Sequence, residues 1–500
     1  MSDELHLLFK NLPDYLGWHM MLSAAALAIG MIVSIPLGIW ASRRPVFAEY
    51  LLGAAGILQT VPTLALLALM VPVLHAVGFL PAFIALTLYS FLPILANTVT
   101  GIRGVDPSLT EAARGLGMSD WQMLRRVQLP LAAPVILSGI RTATVLVVGT
   151  ATLATPVGGK SLGNYIFSGL NMNDSQAVVF GCIFTAVLAI VLDQLIHLLE
   201  LAQARRNRRL AWVAAICLVV AIGGALATPI VNAFRPPPIV VASAQFTEQF
   251  ILSEVIREKL ETTGEHVDQR QGMGETIVFL GLKHNQIDCA ISYTGDVWAT
   301  MMKKKEVESP ETTYAAVKDF LAREYQIECV GKLGFQNNYV LAMQESEAQR
   351  RGITSIGDLA KHPDLVFADD MMFFDRNEWR RILQLYRFDV PATRQTSADP
   401  TLLYPMLAKK KVHVITAYSS DGRIKAQNLR ELKDPLSAIP KYEAILLLSR
   451  RGARNPQLRQ ALEALRGKIS QDAIESANLR VDGGEASPHA AALELLASLR

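Results

Sequence analysis

Cysteine is scarce, with four in 500 residues, too few for a disulfide framework. Cys182 and Cys217 lie in apolar runs and read as packing residues. Cys289 and Cys329 lie in strand-like runs, where a bridge or two buried thiols would both fit. Net charge is scarce too: 48 Lys and Arg oppose 45 Asp and Glu, and the resulting +3 makes no case for nucleic acid. No complete Walker motif is present. Gly159-Lys160-Ser161 matches only the tail of a phosphate-binding loop, because the position five residues before Gly159 is Ala154 and no strand precedes it. It reads as a loop. No cleavable signal peptide, internal repeat or low-complexity tract is visible. No cofactor and no metal are expected, and no residue is assigned a catalytic role.

Charge is missing most conspicuously from the first half. Apolar residues make up 51% and charged residues 19% of the whole, but these are averages over two unlike parts. Residues 1–233 contain long charge-free runs, whereas 239–500 have the composition of a soluble domain. Apolar stretches at about 18–41, 51–77, 80–101, 135–157, 176–201 and 210–233 are long enough for six membrane crossings. The second holds Pro62 and Pro72 and is expected to be kinked or broken. Basic residues cluster at Arg43–Arg44, between Arg103 and Arg126, and at Arg205, Arg206, Arg208 and Arg209. With six crossings all three clusters fall on one side, which the positive-inside rule makes the cytoplasm. The N-terminus and everything after residue 233 then lie outside the cytoplasm.

One polar stretch interrupts the apolar half, residues 106–134. Asp106 followed by Pro107 is a helix start. Gly117 is placed to end that helix in a left-handed conformation. Ser119 and Gln122 make a capping-box pattern for a second short helix, which Leu129-Pro130 is expected to stop. Glu111, Ala112, Ala113, Gly117, Val127, Leu129 and Pro130 match, at every spacing, the EAA loop of ABC-importer permeases, which the stretch therefore resembles. The resemblance implies a cytoplasmic loop that docks into a separate ATPase subunit, since this chain has no Walker motif. One loop serves one ATPase subunit and such importers use two, so it also implies a homodimer of the permease half in the lipid bilayer.

Phe234-Arg235-Pro236-Pro237-Pro238 is a stiff, extended linker. Beyond it, strand-like runs at 239–243, 266–271 and 286–292 alternate with helical patterns, at 246–261 and then up to about 284. This alternation predicts an α/β domain with a mainly parallel sheet. About 260 residues suffice for two lobes.

Four tyrosines, Tyr293, Tyr339, Tyr418 and Tyr442, fall near predicted strand ends or loops, where an interlobe cleft would form. A quaternary ammonium has no N–H to donate, so hydrogen bonds cannot select it. Aromatic faces can, at ~1–2 kcal/mol per desolvated contact. A carboxylate on the same solute would use the helix opening at Thr247 to Gln249, with Gln249, Asn337 and Arg423 as further donors. Each residue has a plainer reading: half-buried packing for the tyrosines, a helix cap for Thr247, a helix-lining side chain for Gln249, a salt-bridge partner for Arg423. Trp298 and Trp379 read as packing.

The motifs Phe246-Thr247-Glu248-Gln249, Tyr293-Thr294-Gly295, Phe335-Gln336-Asn337-Asn338-Tyr339, Tyr418-Ser419-Ser420-Asp421-Gly422-Arg423 and Pro440-Lys441-Tyr442 resemble those of the binding proteins for glycine betaine, choline and carnitine uptake. The resemblance implies a two-lobed type II periplasmic-binding-protein fold. The whole chain is thus expected to be an all-α polytopic permease domain (1–233), a linker (234–238) and an extracytoplasmic solute-binding domain (239–500) in a bacterial inner membrane. Three places depart from the family: Ser292 stands before Tyr293-Thr294-Gly295, Arg376-Asn377-Glu378-Trp379 replaces an R-x-D-G signature, and Met372-Phe373 replaces an E-F pair. These leave the solute open among a betaine-type amine, ergothioneine, a cationic amine and an amino acid. A membrane-anchored sensor without transport is the reading from another class.

Overall fold

The computed structural model describes residues 2–172, 174–205, 207–304, 306 and 308–499. Arg206 of the third basic cluster lies outside them. Two compact units are formed, one of Met1–Phe167 with Ser175–Pro237, the other of Ser168–Asp174 with Pro238–Arg500.

The first unit is helical: α1 (Ser2–Ser42), α2 (Pro45–Thr60), α3 (Thr63–Leu74), α4 (Phe79–Arg103), the short α5 (Pro107–Gly115) and α6 (Asp120–Met123), α7 (Leu129–Ala151), α8 (Gly163–Asn171), α9 (Ser175–Ala204) and α10 (Arg208–Ala233). Among the described residues five helices are long and apolar enough to cross a membrane, and α2 with α3 forms a sixth candidate bent by 96° at Val61-Pro62. The packing shows that this bent pair returns the chain across the same thickness. Trp18 meets Phe79, Gly30 faces Ser90, Gly38 faces Thr98, and Arg103 donates to the carbonyls of Ser42 at 3.0 Å and Ala41 at 3.3 Å. These pairs advance together, so α1 and α4 run parallel, and parallel neighbours need a crossing between them. The glycines let the two backbones approach, as small residues do inside membranes. Gly17 abuts Pro229, and Asn232 donates to Asp14. The start of α1 and the end of α10 therefore share one face of the unit, opposite the loop that follows Arg103.

Charge inside this bundle is paired. Arg141 on α7 donates through Nε and one terminal nitrogen to both oxygens of Asp193 on α9, with His197 Nδ1 at 3.3 Å and Glu200 at 3.8 Å. An isolated charge at this depth would be costly, so the pair staples α7 to α9. Lys160 of the false phosphate loop bonds Asp14 at 2.9 Å. Cys182 and Cys217 are exposed rather than packed, because they fall on helix faces that no other helix covers.

The second unit contains two five-stranded sheets. The first lobe has order β2-β1-β3-β10-β4, from β1 (Ile239–Ala242), β2 (Val267–Arg270), β3 (Cys289–Tyr293), β4 (Glu328–Gln336) and β10 (Glu443–Leu448). The second has order β7-β6-β8-β5-β9, from β5 (Tyr339–Gln344), β6 (Phe367–Asp369), β7 (Gln395–Ser397), β8 (Val414–Tyr418) and β9 (Leu429–Glu431). The sheets are mixed, not mainly parallel. β10 pairs antiparallel with β3 and β4, and β5 with β8 and β9. The expectation failed because the strands adjoining the two lobe crossings run against their neighbours. The crossings are bonded to each other: Asn337 N donates to Tyr442 O at 3.0 Å, and Tyr442 N to Asn338 Oδ1 at 2.6 Å. Cys289 and Cys329 are free and buried. They lie on β3 and β4 with β10 between, roughly 9–10 Å apart by strand spacing, beyond disulfide reach.

Candidate functional site

Antiparallel register puts Tyr339, the first residue of β5, opposite Tyr418, the last of β8. Their side chains therefore leave the same face of the sheet, with ring centres 4.7 Å apart. Tyr339 Oη donates to Asp370 Oδ2 at 2.7 Å, and Tyr418 Oη lies 2.9 Å from the same oxygen. Phe246, from the first lobe, meets Tyr418 edge-on at 5.2 Å, and Phe373 packs on Tyr339 at 4.7 Å. A cavity of about 110 Å³ opens beside Tyr418, bordered also by Phe246, Thr247, Asp370, Tyr404, Asp421, Arg423 and Asp482.

The guanidinium of Arg376 sits 5.0 Å from the centre of the Tyr339 ring. Its Nε reaches Glu378 at 3.3 Å, and one terminal nitrogen is buried with no hydrogen-bond partner among the described residues. Tyr442 Oη donates to Glu378 at 2.5 Å, and Tyr442, Arg376, Glu378 and Trp298 border a second cavity of about 260 Å³. Gly295 is required here, since a Cβ would collide with the Tyr442 ring. The surrounding carboxyls feel burial and each other. Burial pushes Asp296 up to about 6, against the pull of Arg376 and with Asp370 and Glu378 adding to the rise. Burial and then Asp296 raise Glu275 well above the usual range.

The eight residues expected at the site separate into groups. Tyr339 and Tyr418 come together, and Thr247 and Arg423 border the same cavity as Tyr418. Thr247 does not cap its helix, α11 (Thr247–Glu261). Its hydroxyl donates to Asp482 at 2.7 Å. Arg423 is gripped by Asp421, at 2.9 Å and 2.7 Å, and lies 4.2 Å from the centre of the Tyr404 ring. Tyr442 borders the second cavity. Gln249 is buried and accepts from Ala244 N at 2.6 Å. Tyr293 and Asn337 turn toward Glu248, Tyr293 Oη at 2.5 Å. Phe246, Asp370, Phe373 and Tyr404 were not singled out from sequence. Phe246 heads the first motif and was within reach. Asp370 was not, because only the register of β6 against β8 brings it to the tyrosines.

At the other end of the chain, the loop after α4 has the expected local form. Asp106 accepts from Ser108 N at 2.9 Å and opens α5. Gly117 adopts φ +77°, with Met118 N donating back to Ala113 O. Ser119 and Gln122 complete a reciprocal cap. Glu111 and Ala112 are exposed and Ala113 is buried. Leu116 and Trp121 are 79% and 66% exposed, an apolar surface beside charged residues of both signs. Leu129-Pro130 does not stop the second helix. A π-turn at Leu124–Gln128 feeds directly into α7. The wider turn carries the chain past a proline that has no N–H to offer the preceding carbonyls.

A helical membrane unit with a surface loop of this form, joined to a two-lobed domain with an aromatic cleft, defines a binding-protein-dependent importer permease that carries its own solute receptor. Residues 34–209 match the family model described as the inner membrane component of binding-protein-dependent transport systems, and 237–498 match the substrate binding domain of the ABC-type glycine betaine transport system. The chain belongs to this glycine betaine-type ABC uptake family, as a permease fused to its binding domain. Among its relatives is an ergothioneine transport permease/ergothioneine binding protein of Helicobacter pylori, 28% identical over 94% of this chain and 87% of that protein. The glycine betaine/carnitine/choline permease OpuCB of Bacillus subtilis is 44% identical over 37% of this chain and 84% of its own length. A solved glycine betaine/carnitine/choline ABC transporter structure is similar at TM-score 0.46 and 24% identity, covering 52% of this chain and 97% of that one.

Proposed function

We propose that the protein imports a betaine-type quaternary amine such as glycine betaine, choline or carnitine, with a separate ATPase supplying the energy. The observation that carries this reading is the Tyr339–Tyr418 pair, its rings tilted by 36° to each other, with its hydroxyls held on Asp370 and Phe246 set edge-on. Electron-rich aromatic faces beside a carboxylate suit a methylated cation. Asp370, which lies within hydrogen-bond distance of both tyrosine hydroxyls, places an acidic group beside the aromatic pair and favours a positive headgroup. The unpartnered nitrogen of Arg376 suits a carboxylate at the other end of the solute. Of the eight expected residues we assign Tyr339, Tyr418 and Tyr442 to the cation and Thr247 and Arg423 to the rim. Tyr293, Gln249 and Asn337 support the cleft from behind. Ergothioneine is the second reading, favoured by the whole-length relative that carries that name. It is itself a trimethylammonium betaine, so the same cage would serve.

In this account residues 1–233 form a homodimeric permease in the bacterial inner membrane, and Glu111, Ala112, Ala113, Gly117, Leu129 and Pro130 couple it to the ATPase. The linker 234–238 leads to a binding domain outside the cytoplasm. The shared face of the two ends of the membrane unit supports this, as do the basic residues on the opposite face. Tethering keeps the receptor at high effective concentration near the pore.

The test is uptake of labelled glycine betaine, choline, carnitine and ergothioneine by cells expressing the chain with its ATPase. Accumulation of one of them, lost in Glu111→Lys, is the expected result. Accumulation of ordinary amino acids alone would remove the quaternary-amine assignment, and solute binding without any uptake would favour a sensor.

A further inference from the structure

Glu248 is buried at the border of the cavity of about 110 Å³, and its carboxylate is fully engaged by protein donors. It stands second in α11, and both of its carboxylate oxygens are bonded at the junction between the lobes. Oε1 accepts from Tyr293 Oη at 2.5 Å and from Asn337 Nδ2, while Oε2 accepts from Ser420 Oγ at 2.7 Å and Asn478 Nδ2 at 3.1 Å. Four donors fill the lone-pair positions of a carboxylate, so none is left for a solute. All four donors are neutral, and burial raises the carboxyl's pKa above its usual range. A residue needed only to fill core space would not bear that cost.

The donors come from four separate places. Tyr293 ends β3, and Asn478 lies on the helix Gln471–Asp482, both in the first lobe. Asn337 is the first crossing between the lobes. Ser420 belongs to the second lobe, in the turn that follows β8 and two residues beyond Tyr418. The same turn is bonded to the crossing, with Ser419 N donating to Asn338 O at 2.8 Å and Asn338 N to Ser419 Oγ at 3.0 Å. Gly422, next along, packs directly on the backbone of Asn478 and Leu479.

We propose that Glu248 is the hinge pin of the binding domain: a positioning residue that ties the first lobe to the crossing and to the Tyr418-bearing turn, so that cleft opening must stretch its bond to Ser420. The consequence for affinity rests on the solute-cleft reading. The hinge itself is testable without any solute.

The experiment is hydrogen exchange on the full-length protein in nanodiscs, ligand-free, comparing wild type with Glu248→Gln and Ser420→Ala. Glutamine keeps the volume but turns an amide toward one pair of donors. Alanine removes only the strut to the second lobe. The amides of 337–343 and 418–424 should exchange about tenfold faster in both variants. Those of β10 and of the middle of α11 should keep wild-type rates. Unchanged rates at 337–343 and 418–424, or a uniform rise across both lobes, would overturn the proposal. Should Glu248→Gln fail to fold, Ser420→Ala decides alone.

Discussion

The coupling loop and the solute cleft are built on opposite plans. In the loop every defining bond is local: Asp106 to Ser108, Gly117 to Arg114, Ser119 to Gln122. Most of its working residues face outward, with Ala113 buried beneath them. In the cleft and its hinge the bonds join residues far apart in the chain, such as Glu248 to Asn337, Ser420 and Asn478, or Tyr339 to Asp370. Its working residues are buried or half-buried. A surface that must meet another protein can be made by a short segment that folds on its own grammar. A site that must surround a small solute needs walls from several segments, and it pays for burying their polar groups by pairing nearly all of them.

This contrast predicts that damage to the loop separates function from fold, while damage to the cleft does not. The largest effect is expected for Gly117→Pro, whose ring cannot adopt the positive φ of that position. Uptake should fall to background while solute binding and melting temperature stay at wild-type values. Loss of binding as well would break the contrast. Next comes Asp193→Ala, which removes the two-point partner of Arg141 and leaves it only the more distant carboxylate of Glu200, at 3.8 Å. A loss of about 3 kcal/mol in the stability of the membrane unit is expected, read by thermal unfolding in nanodiscs, with the double variant Arg141→Leu/Asp193→Leu recovering much of it. Tyr418→Ala should weaken solute binding by ~1–2 kcal/mol, roughly tenfold, with the exposed loop unaffected in protease-protection assays.

The smallest effect concerns Asp482, whose carboxyl burial and then Asp421 push up to about 7, against the pull of Arg423 and Thr247. Its native pKa lies above the unfolded value near 3.9. The native state therefore holds a proton that the unfolded chain releases, and stability falls as pH rises between these two values. Asp482→Asn should raise the melting temperature of the binding unit by roughly 2–5 °C at about pH 8 and leave it unchanged at about pH 4. An equal gain at both values would show that titration of Asp482 is not involved.

The same contrast explains which parts were legible in advance. Caps and a left-handed glycine are written in a few adjacent residues, so the course of 106–123 could be read directly. Of the two prolines that marked the second span as kinked or broken, Pro62 lies at the bend and Pro72 lies inside α3. The fate of Leu129-Pro130 was not legible, because a proline stops an α-helix but not one that widens into a π-turn. The staple between Arg141 and Asp193 was hidden because each charge sits alone in an apolar run, and only helix packing pairs them. In the binding unit the first three strands followed from alternation with helices, yet nothing local announced that β10 would insert antiparallel between β3 and β4. The tyrosines were legible as residue types but not by direction. Tyr339 and Tyr418 share a face through strand register, while Tyr293, on a strand of the other lobe, points at Glu248.

The central claim is that the second unit selects a quaternary amine through Tyr339 and Tyr418. Calorimetric titration of the full-length protein in nanodiscs with glycine betaine, choline, carnitine, ergothioneine and ordinary amino acids tests it most directly. The account predicts binding of at least one quaternary amine, weakened roughly tenfold in Tyr418→Ala. Binding confined to ordinary amino acids, or quaternary-amine binding indifferent to Tyr418→Ala, would contradict it.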